Sequence, residues 1–410
     1  MKNDKTIFIQ MASYRDPELV PTLDDLLDKA KNPDNLHICV AFQYSDKDSF
    51  TKDIDKYRDD SRFTILDIPY KDATGACSAR NLIQQQYKNE TYTLQLDSHH
   101  RFAQDWDVTS IEMLKGLQER GYKKPLLTSY IPSYNPETDP KGRVDTPWGM
   151  SFDRFTPEGV VFFMPYYLTD KTLYPIPSRF FSAHFCFTVG EFATEVQHDP
   201  EYYFHGEEIT LAVRAYTHGY DLFHPNKVIA WHEYTRNNRV KQWDDDSEWG
   251  NRNTRTHKKV RSLLGIDGEN EIIEIVYGLG TVRTLKDYET YAGVKFSNRS
   301  ITAACKANKA PTKDAEDEFY QEFKEAIGLH HSQFTQDDYG FLALIFEDKE
   351  GKQIHRQDLN KEQVKDKLQM SKNGGEWIEW VTYTGPKPDQ IIIWPNSDSK
   401  GWVDKRIINL

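Results

Sequence analysis

Four short stretches hold residues whose types and spacing suit chemistry. The sharpest is Leu94-Gln-Leu-Asp97-Ser-His99-His100-Arg101-Phe102, where an apolar run ends on a carboxylate. In extended chain, residues two apart point the same way, so Asp97 and His99 aim at one point while His100 faces the other side. A carboxylate with an imidazole suits a divalent transition metal with open coordination positions. Those positions suit diphosphate oxygens, and the ion would act as a Lewis acid on a leaving group. The plainer reading, in which Asp97 caps a turn and the histidines pack locally, fits this tripeptide alone equally well.

The second stretch is Val228-Ile-Ala-Trp231-His232, a strand ending on an imidazole that would supply a third ligand from a distant part of the chain. Taken alone, His232 reads as a structural histidine. The third, Ala73-Thr-Gly75-Ala76-Cys77-Ser78-Ala79-Arg80-Asn81, opens a helix with small residues. A helix start favours anions, and Arg80 could reach a phosphate or a metal-ligating carboxylate. Its bland reading is a strand-to-helix turn with a surface arginine. The fourth, Phe204-His205-Gly206-Glu207-Glu208, puts two carboxylates at a helix start. They either favour the macrodipole or meet substrate hydroxyls.

These residues need a scaffold, and the first half of the chain reads as one. Strand-like runs at Lys5–Met11, Leu36–Phe42, Phe63–Ile68 and Tyr92–Leu96 alternate with helical spacing at Glu18–Lys31 and from Ser78 to Tyr87. That alternation predicts an α/β sheet with parallel strands and a ligand beyond their carboxyl ends. Residues 132–158, rich in Pro, Gly, Asp and Thr, read as a long loop. Val160–Met164, His184–Val189 and Lys227–His232 read as strands, and Glu208–His218 as a helix stopped by Gly219. The polar stretch Asn237–Lys259 reads as a solvated loop or helix surface. Ala307–Asp314 reads as a linker and Ala315–Ile327 as an amphipathic helix carrying Phe319, Tyr320, Phe323 and Ile327. Phe341–Phe346, Trp377–Tyr383 and Gln390–Trp394 read as strands. We expect two domains, residues 1–304 and a small α+β or mostly β domain of residues 305–410. Trp377, Trp380, Trp394 and Trp402 suggest sugar-stacking platforms, but the alternation in Trp377–Tyr383 favours a core sheet.

Bulk properties narrow the partners. With 410 residues, the chain can bury a substantial core. A net charge of −12 argues against a general nucleic-acid binder. Cys39, Cys77, Cys186 and Cys305 are scattered, which predicts no zinc ribbon or disulfide framework and a reducing, cytoplasmic setting. No run reaches the ~20 apolar residues of a spanning helix, and no signal peptide is expected.

Together the four stretches resemble a GT-A glycosyltransferase: a nucleotide-binding α/β half, D-x-H where D-x-D is usual, a Gly-Glu-rich acceptor-side helix start, and a late histidine. The same order occurs in the mucin-type polypeptide GalNAc-transferases. The sequence is more similar to the cytoplasmic hydroxyproline-directed polypeptide α-N-acetylglucosaminyltransferases, glycosyltransferase family 60. That resemblance rests on Ile9-Gln-Met-Ala-Ser-Tyr-Arg15-Asp16, the stretch from Gly75 to Asn81, Leu96–Phe102, Phe204–Glu208 and Tyr277-Gly-Leu-Gly-Thr-Val-Arg283, and covers residues 5–300.

The resemblance implies UDP-GlcNAc as donor, Mn²⁺ or another divalent cation, retention of the α configuration, and a protein or glycan acceptor. It places Asp97, His99 and His232 on the metal. It also places Ala12, Ser13, Tyr14 and Arg15 along the uridine, Arg80 near the diphosphate, Glu207 on donor-sugar hydroxyls, and His184 and Phe185 in the donor-sugar pocket. Glu208 stands where the GalNAc-transferases have Asn, which leaves its role open. Transfer to a glycan or capsular polysaccharide, a UDP-sugar-binding module without turnover, and a metallohydrolase are the competing readings. The last lacks an HExxH or paired-metal motif.

Overall fold

Alternation in the first strand sets the layering. In β1 (Ile7–Tyr14), Ile7, Ile9 and Met11 fall on one face and Phe8 on the other. The first set packs with Leu19, Leu23 and Leu26 of α1 (Leu19–Lys29) and with Leu114 and Leu117 of the helix Trp106–Glu119. Phe8 packs with Ala79 and Ile83 of α2 (Ala76–Gln84). Helices therefore cover both faces, which is why β2 (Leu36–Tyr44) is buried almost throughout. Each fully buried Leu or Ile contributes about 1.5–3 kcal/mol.

The computed structural model describes residues 5–235, 239–313, 317–384 and 387–410. Two compact units are present: residues 1–297 with 302–317, and residues 298–301 with 318–410. In the first, β3 (Phe63–Pro69), β2, β1 and β4 (Tyr92–Asp97) lie side by side and parallel. The short β5 (His100–Phe102) follows, then α3 (Trp106–Glu119) and β6 (Pro125–Thr128). After the hairpin β7 (Trp148–Phe155)–β8 (Val161–Tyr167) come β9 (Ile176–Pro177), β10 (Phe185–Val189), α4 (Phe192–Glu195), α5 (Glu207–Thr217), β11 (Asp221–His224) and β12 (Ala230–His232). The sheet order is β3-β2-β1-β4-β10-β6-β11-β9, with β10 antiparallel to both neighbours. This is the α/β class expected from the sequence.

Residues 132–158 are not one loop. Met150 and Phe152 are buried, and β7 pairs antiparallel with β8. The Pro- and Gly-rich flanks mask a strand whose apolar residues alternate. The polar stretch from Asn237 to Lys259 runs into the helix Trp249–Leu264, with Asn237 itself outside the described residues.

The second unit is α+β. Strand Phe319–Leu329 pairs antiparallel with Trp377–Thr384, and Tyr339–Glu347 pairs with both Gln353–Asn360 and Gln390–Ser397. Helix Lys361–Lys372 supplies Val364 to a core that includes Leu342, Leu344, Phe346, Val381 and Ile391. The expected helix from Ala315 to Ile327 is instead this first strand, with Ala315 outside the described residues. Phe319, Phe323 and Ile327 are four apart, and a spacing of four satisfies a strand face as well as a helix face. Cross-strand partners decided between them. Trp377 is a core residue, whereas Trp380 and Trp402 are exposed. All four cysteines are free and buried. Among the described residues, no helix is long and apolar enough to cross a membrane.

Candidate active site

The carboxyl ends of β1 and β4 lie level, with Ala12 opposite Asp97. The chain then turns through Ser98 into β5, whose antiparallel pairing with β12 sets His100 opposite His232. Asp97, His99 and His232 thereby meet, with one ligand atom from each lying within 4.8 Å of the others. Asp97 Oδ2 is 3.4 Å from His232 Nε2 and 3.8 Å from His99 Nε2. Metal–ligand bonds of about 2.1 Å give tetrahedral ligand separations of about 3.4 Å, so the spacing fits a divalent transition cation.

The surroundings orient these ligands. His99 Nδ1 is 2.8 Å from Asp16 Oδ2, which also accepts from Ser98 Oγ and from Arg239 Nη1 at 2.9 Å. A carboxylate behind the outer nitrogen turns Nε2 of His99 toward Asp97. Burial would raise the Asp16 carboxyl, but His99 and Arg239 outweigh it and hold it well below the carboxylate range. Burial also opposes ionisation of Asp97, yet His232, Arg80 and His99 keep its carboxyl well below its ordinary value. Burial pushes the His232 imidazole far down, keeping it neutral as a ligand must be. Its Nδ1 is buried without a hydrogen-bond partner.

Arg80 joins the two carboxylate motifs. Its Nη2 donates to Asp97 Oδ1 at 2.6 Å and its Nη1 to Glu207 Oε1 at 2.5 Å. It sits in α2, reached through Gly75 at φ 131°, where an added Cβ would lie 2.8 Å from the Tyr203 carbonyl oxygen. Glu207 and Glu208 begin α5 after Gly206, whose φ of 100° also demands glycine. Burial opposes ionisation of Glu207, but Arg80 and His198 hold it down to about 2. Glu208 accepts from the Ala183 N–H at 3.0 Å and the Tyr130 hydroxyl at 2.8 Å. Burial pushes its carboxyl up to about 7, with Glu207 adding to the effect.

Two clefts meet at Arg80, Asp97 and Phe204. One, of about 870 Å³, is lined by Ala12, Tyr14, Gln43, Gly75 and Trp243 among others. The other, of about 1000 Å³, is lined by Tyr130, Phe162, His184, Glu207, Glu208 and Tyr234 among others.

Not every expected residue faces a cleft. Ser13 is buried, its hydroxyl without a partner. Arg15 does not line the first cleft; its guanidinium is held by Asp48 at 2.6 Å and Asp245 at 2.8 Å. His184 lines the second cleft, where its Nε2 accepts from the Ile131 N–H at 3.3 Å. Phe185, one residue further, points the opposite way and is fully buried in the core, so it is a packing residue rather than part of the sugar pocket. Sequence reasoning missed Asp16 and Arg239 behind His99, Tyr130 on Glu208, and His198 on Glu207. Only Asp16 lay inside a quoted motif.

The model of the family described as Glycosyltransferase (GlcNAc) matches residues 6–64 and 52–298. The chain belongs to that family. No curated protein matches it. Among solved structures it is similar to GalNAc-T7 with UDP, GalNAc and Mn²⁺, at 16% identity and TM-score 0.49, covering 64% of this chain and 48% of that one. It is also similar to S. aureus TarS 1-349 in complex with UDP-GlcNAc, at 12% identity and TM-score 0.37 over 69% and 72% of the two chains. A mannosyltransferase from Pyrobaculum calidifontis with GDP-Man and Mn²⁺ follows, at 12% identity and TM-score 0.35 over 57% and 58%. The chain spans about half the length of the GalNAc-T7 chain.

Proposed function

We propose that this enzyme transfers N-acetylglucosamine from UDP-GlcNAc, with retention, to a hydroxyl of a polypeptide: hydroxyproline, serine or threonine. The observation that carries the reading is the convergence of Asp97, His99 and His232 where the two clefts meet. The resemblance of the quoted motifs to family 60 supports the donor and acceptor classes, and the domain of residues 1–304 is assigned as the GT-A catalytic part. The accessory C-terminal domain has no assigned role. The free cysteines suit the proposed cytoplasmic setting.

Asp97, His99 and His232 would hold Mn²⁺ or a similar cation, which when bound neutralises charge on the diphosphate. The remaining work falls to the chain. Ala12 and Tyr14 border the first cleft and receive the uridine side of the donor. Arg80, held by Asp97 and Glu207 where the two clefts meet, supplies the fixed positive charge that stabilises charge building on the diphosphate. Glu207, fixed by Arg80 and His198, is the carboxylate placed for donor-sugar hydroxyls. A double displacement needs a free carboxylate beneath the anomeric carbon. Glu207 is tied to Arg80, and both oxygens of Glu208 accept hydrogen bonds. That arrangement favours front-face transfer, in which the leaving phosphate takes the acceptor proton.

The test is UDP release from a panel of UDP-sugars with and without Mn²⁺, then transfer to hydroxyproline-, serine- and threonine-containing peptides. Metal-dependent release selective for UDP-GlcNAc supports the donor assignment. Transfer to a glycan but not to peptides would replace the acceptor, and absence of UDP binding would refute the reading.

A further inference from the structure

One buried cluster shares only Glu207 with the cleft chemistry. Cys77, His198 and Glu207 each present a ligand atom, all within 4.8 Å of one another. All three are buried, and they come from separate segments: the first turn of α2, the loop after α4 and the first residue of α5.

The neighbours of His198 set its tautomer. Gln95 Nε2 donates to the Ala183 carbonyl at 2.7 Å, so its Oε1 is the atom that meets His198 Nε2 at 2.6 Å. An amide oxygen only accepts, and Nε2 therefore carries a proton. The other ring nitrogen, Nδ1, is buried, has no hydrogen-bond partner, and lies 2.9 Å from Glu207 Oε1. A cation held between Nδ1 and Oε1, whether a proton or a metal ion, satisfies both atoms. A histidine whose outer N–H is committed to a carbonyl is also oriented as metal-ligating histidines are.

We propose that Cys77, His198 and Glu207 form a second, buried site for a thiolate-binding divalent cation of the Zn²⁺ class, separate from the Asp97, His99 and His232 site. One sulfur, one nitrogen and one oxygen donor suit that ion. A water-sized cavity beside them, lined also by Thr210 and Arg214, has room for a water as fourth ligand. Binding displaces the Cys77 proton, since the metal-bound form of cysteine is the thiolate. The bound ion fixes the start of α2 to the start of α5, the two helices that carry Arg80 and Glu207.

The site is tested on full-length protein purified without a histidine tag, stripped with a chelator and titrated with Co²⁺. The cluster is expected to give a near-ultraviolet thiolate-to-cobalt charge-transfer band that saturates at one equivalent. The sulfur-free cleft site cannot produce it, so the band survives His99→Ala and disappears in Cys77→Ala and Cys77→Ser. Zinc retained after dialysis, measured by mass spectrometry, should fall by one equivalent in the same two variants. Circular dichroism confirms that the variants fold. Should they not fold, the wild-type titration and its reversal by chelator decide alone. No band in folded, cobalt-loaded wild type, or a band undiminished in a folded Cys77 variant, overturns the proposal.

Discussion

Glu208 makes the fold sensitive to pH in a calculable direction. Its carboxyl rises from an ordinary value of 4.5 to about 7 because burial disfavours the anion. A raised folded-state pKa means the native state holds a proton that the unfolded state has released. Stability from this group is therefore complete below pH 4.5 and is lost as pH rises to 7, at about 1.4 kcal/mol per unit. The full shift corresponds to about 3 kcal/mol. Glu208 also borders the second cleft, whose water screens the charge and reduces the expectation to roughly 2 kcal/mol. Glu208→Gln removes the titration while keeping the shape and the hydrogen bond from the Ala183 N–H. The variant should match wild type near pH 4.5 and exceed it by roughly 2 kcal/mol above pH 7. Urea unfolding of both proteins at half-unit steps from pH 4.5 to 8.5, followed by tryptophan fluorescence, reads the difference directly. Curves that stay parallel across this range would refute the burial argument for Glu208.

Three further outcomes follow from the geometry. Asp97→Asn keeps the side-chain shape but removes the charge shared by both imidazoles and Arg80; calorimetry should show Mn²⁺-dependent UDP binding lost, and unchanged binding would remove Asp97 from the metal. Arg80→Lys cannot span Asp97 and Glu207 with one fork, so kcat for UDP release should fall about 10²–10³-fold, and an unaltered kcat would exclude Arg80 from charge stabilisation. Gly75→Ala forces a Cβ to within 2.8 Å of the Tyr203 carbonyl at φ 131°; thermal melting should show about 1–3 kcal/mol of destabilisation, whereas an unshifted melt would mean that the turn can relax.

The sequence carried the cleft ligands better than it carried their supports, for a physical reason. Asp97 and His99 lie in one strand exit, so a two-residue repeat suffices to aim them together. His232 stands at the end of another strand, and its ring reaches Asp97 through the pairing of β5 with β12. The supports have no such local signature. Asp16 reaches His99, and His198 reaches Glu207, only because separate loops cross at the sheet's carboxyl edge. Phe185 shows the same limit in reverse, since a one-residue step separates a cleft imidazole from a core ring. The spacing of four in Phe319, Phe323 and Ile327 was ambiguous because helix and strand periods coincide there, and only the pairing with Trp377–Thr384 resolved it. Side-chain direction within an element is thus readable from spacing, whereas the partners that fix a ring's tautomer or a carboxyl's charge come from tertiary contacts. Glu207 and Glu208 show how far this reaches. They are adjacent carboxylates in one helical turn, yet Arg80 and His198 hold the first ionised down to about 2 while burial keeps the second protonated up to about 7. Two identical side chains thereby carry different charges between about pH 2 and about pH 7.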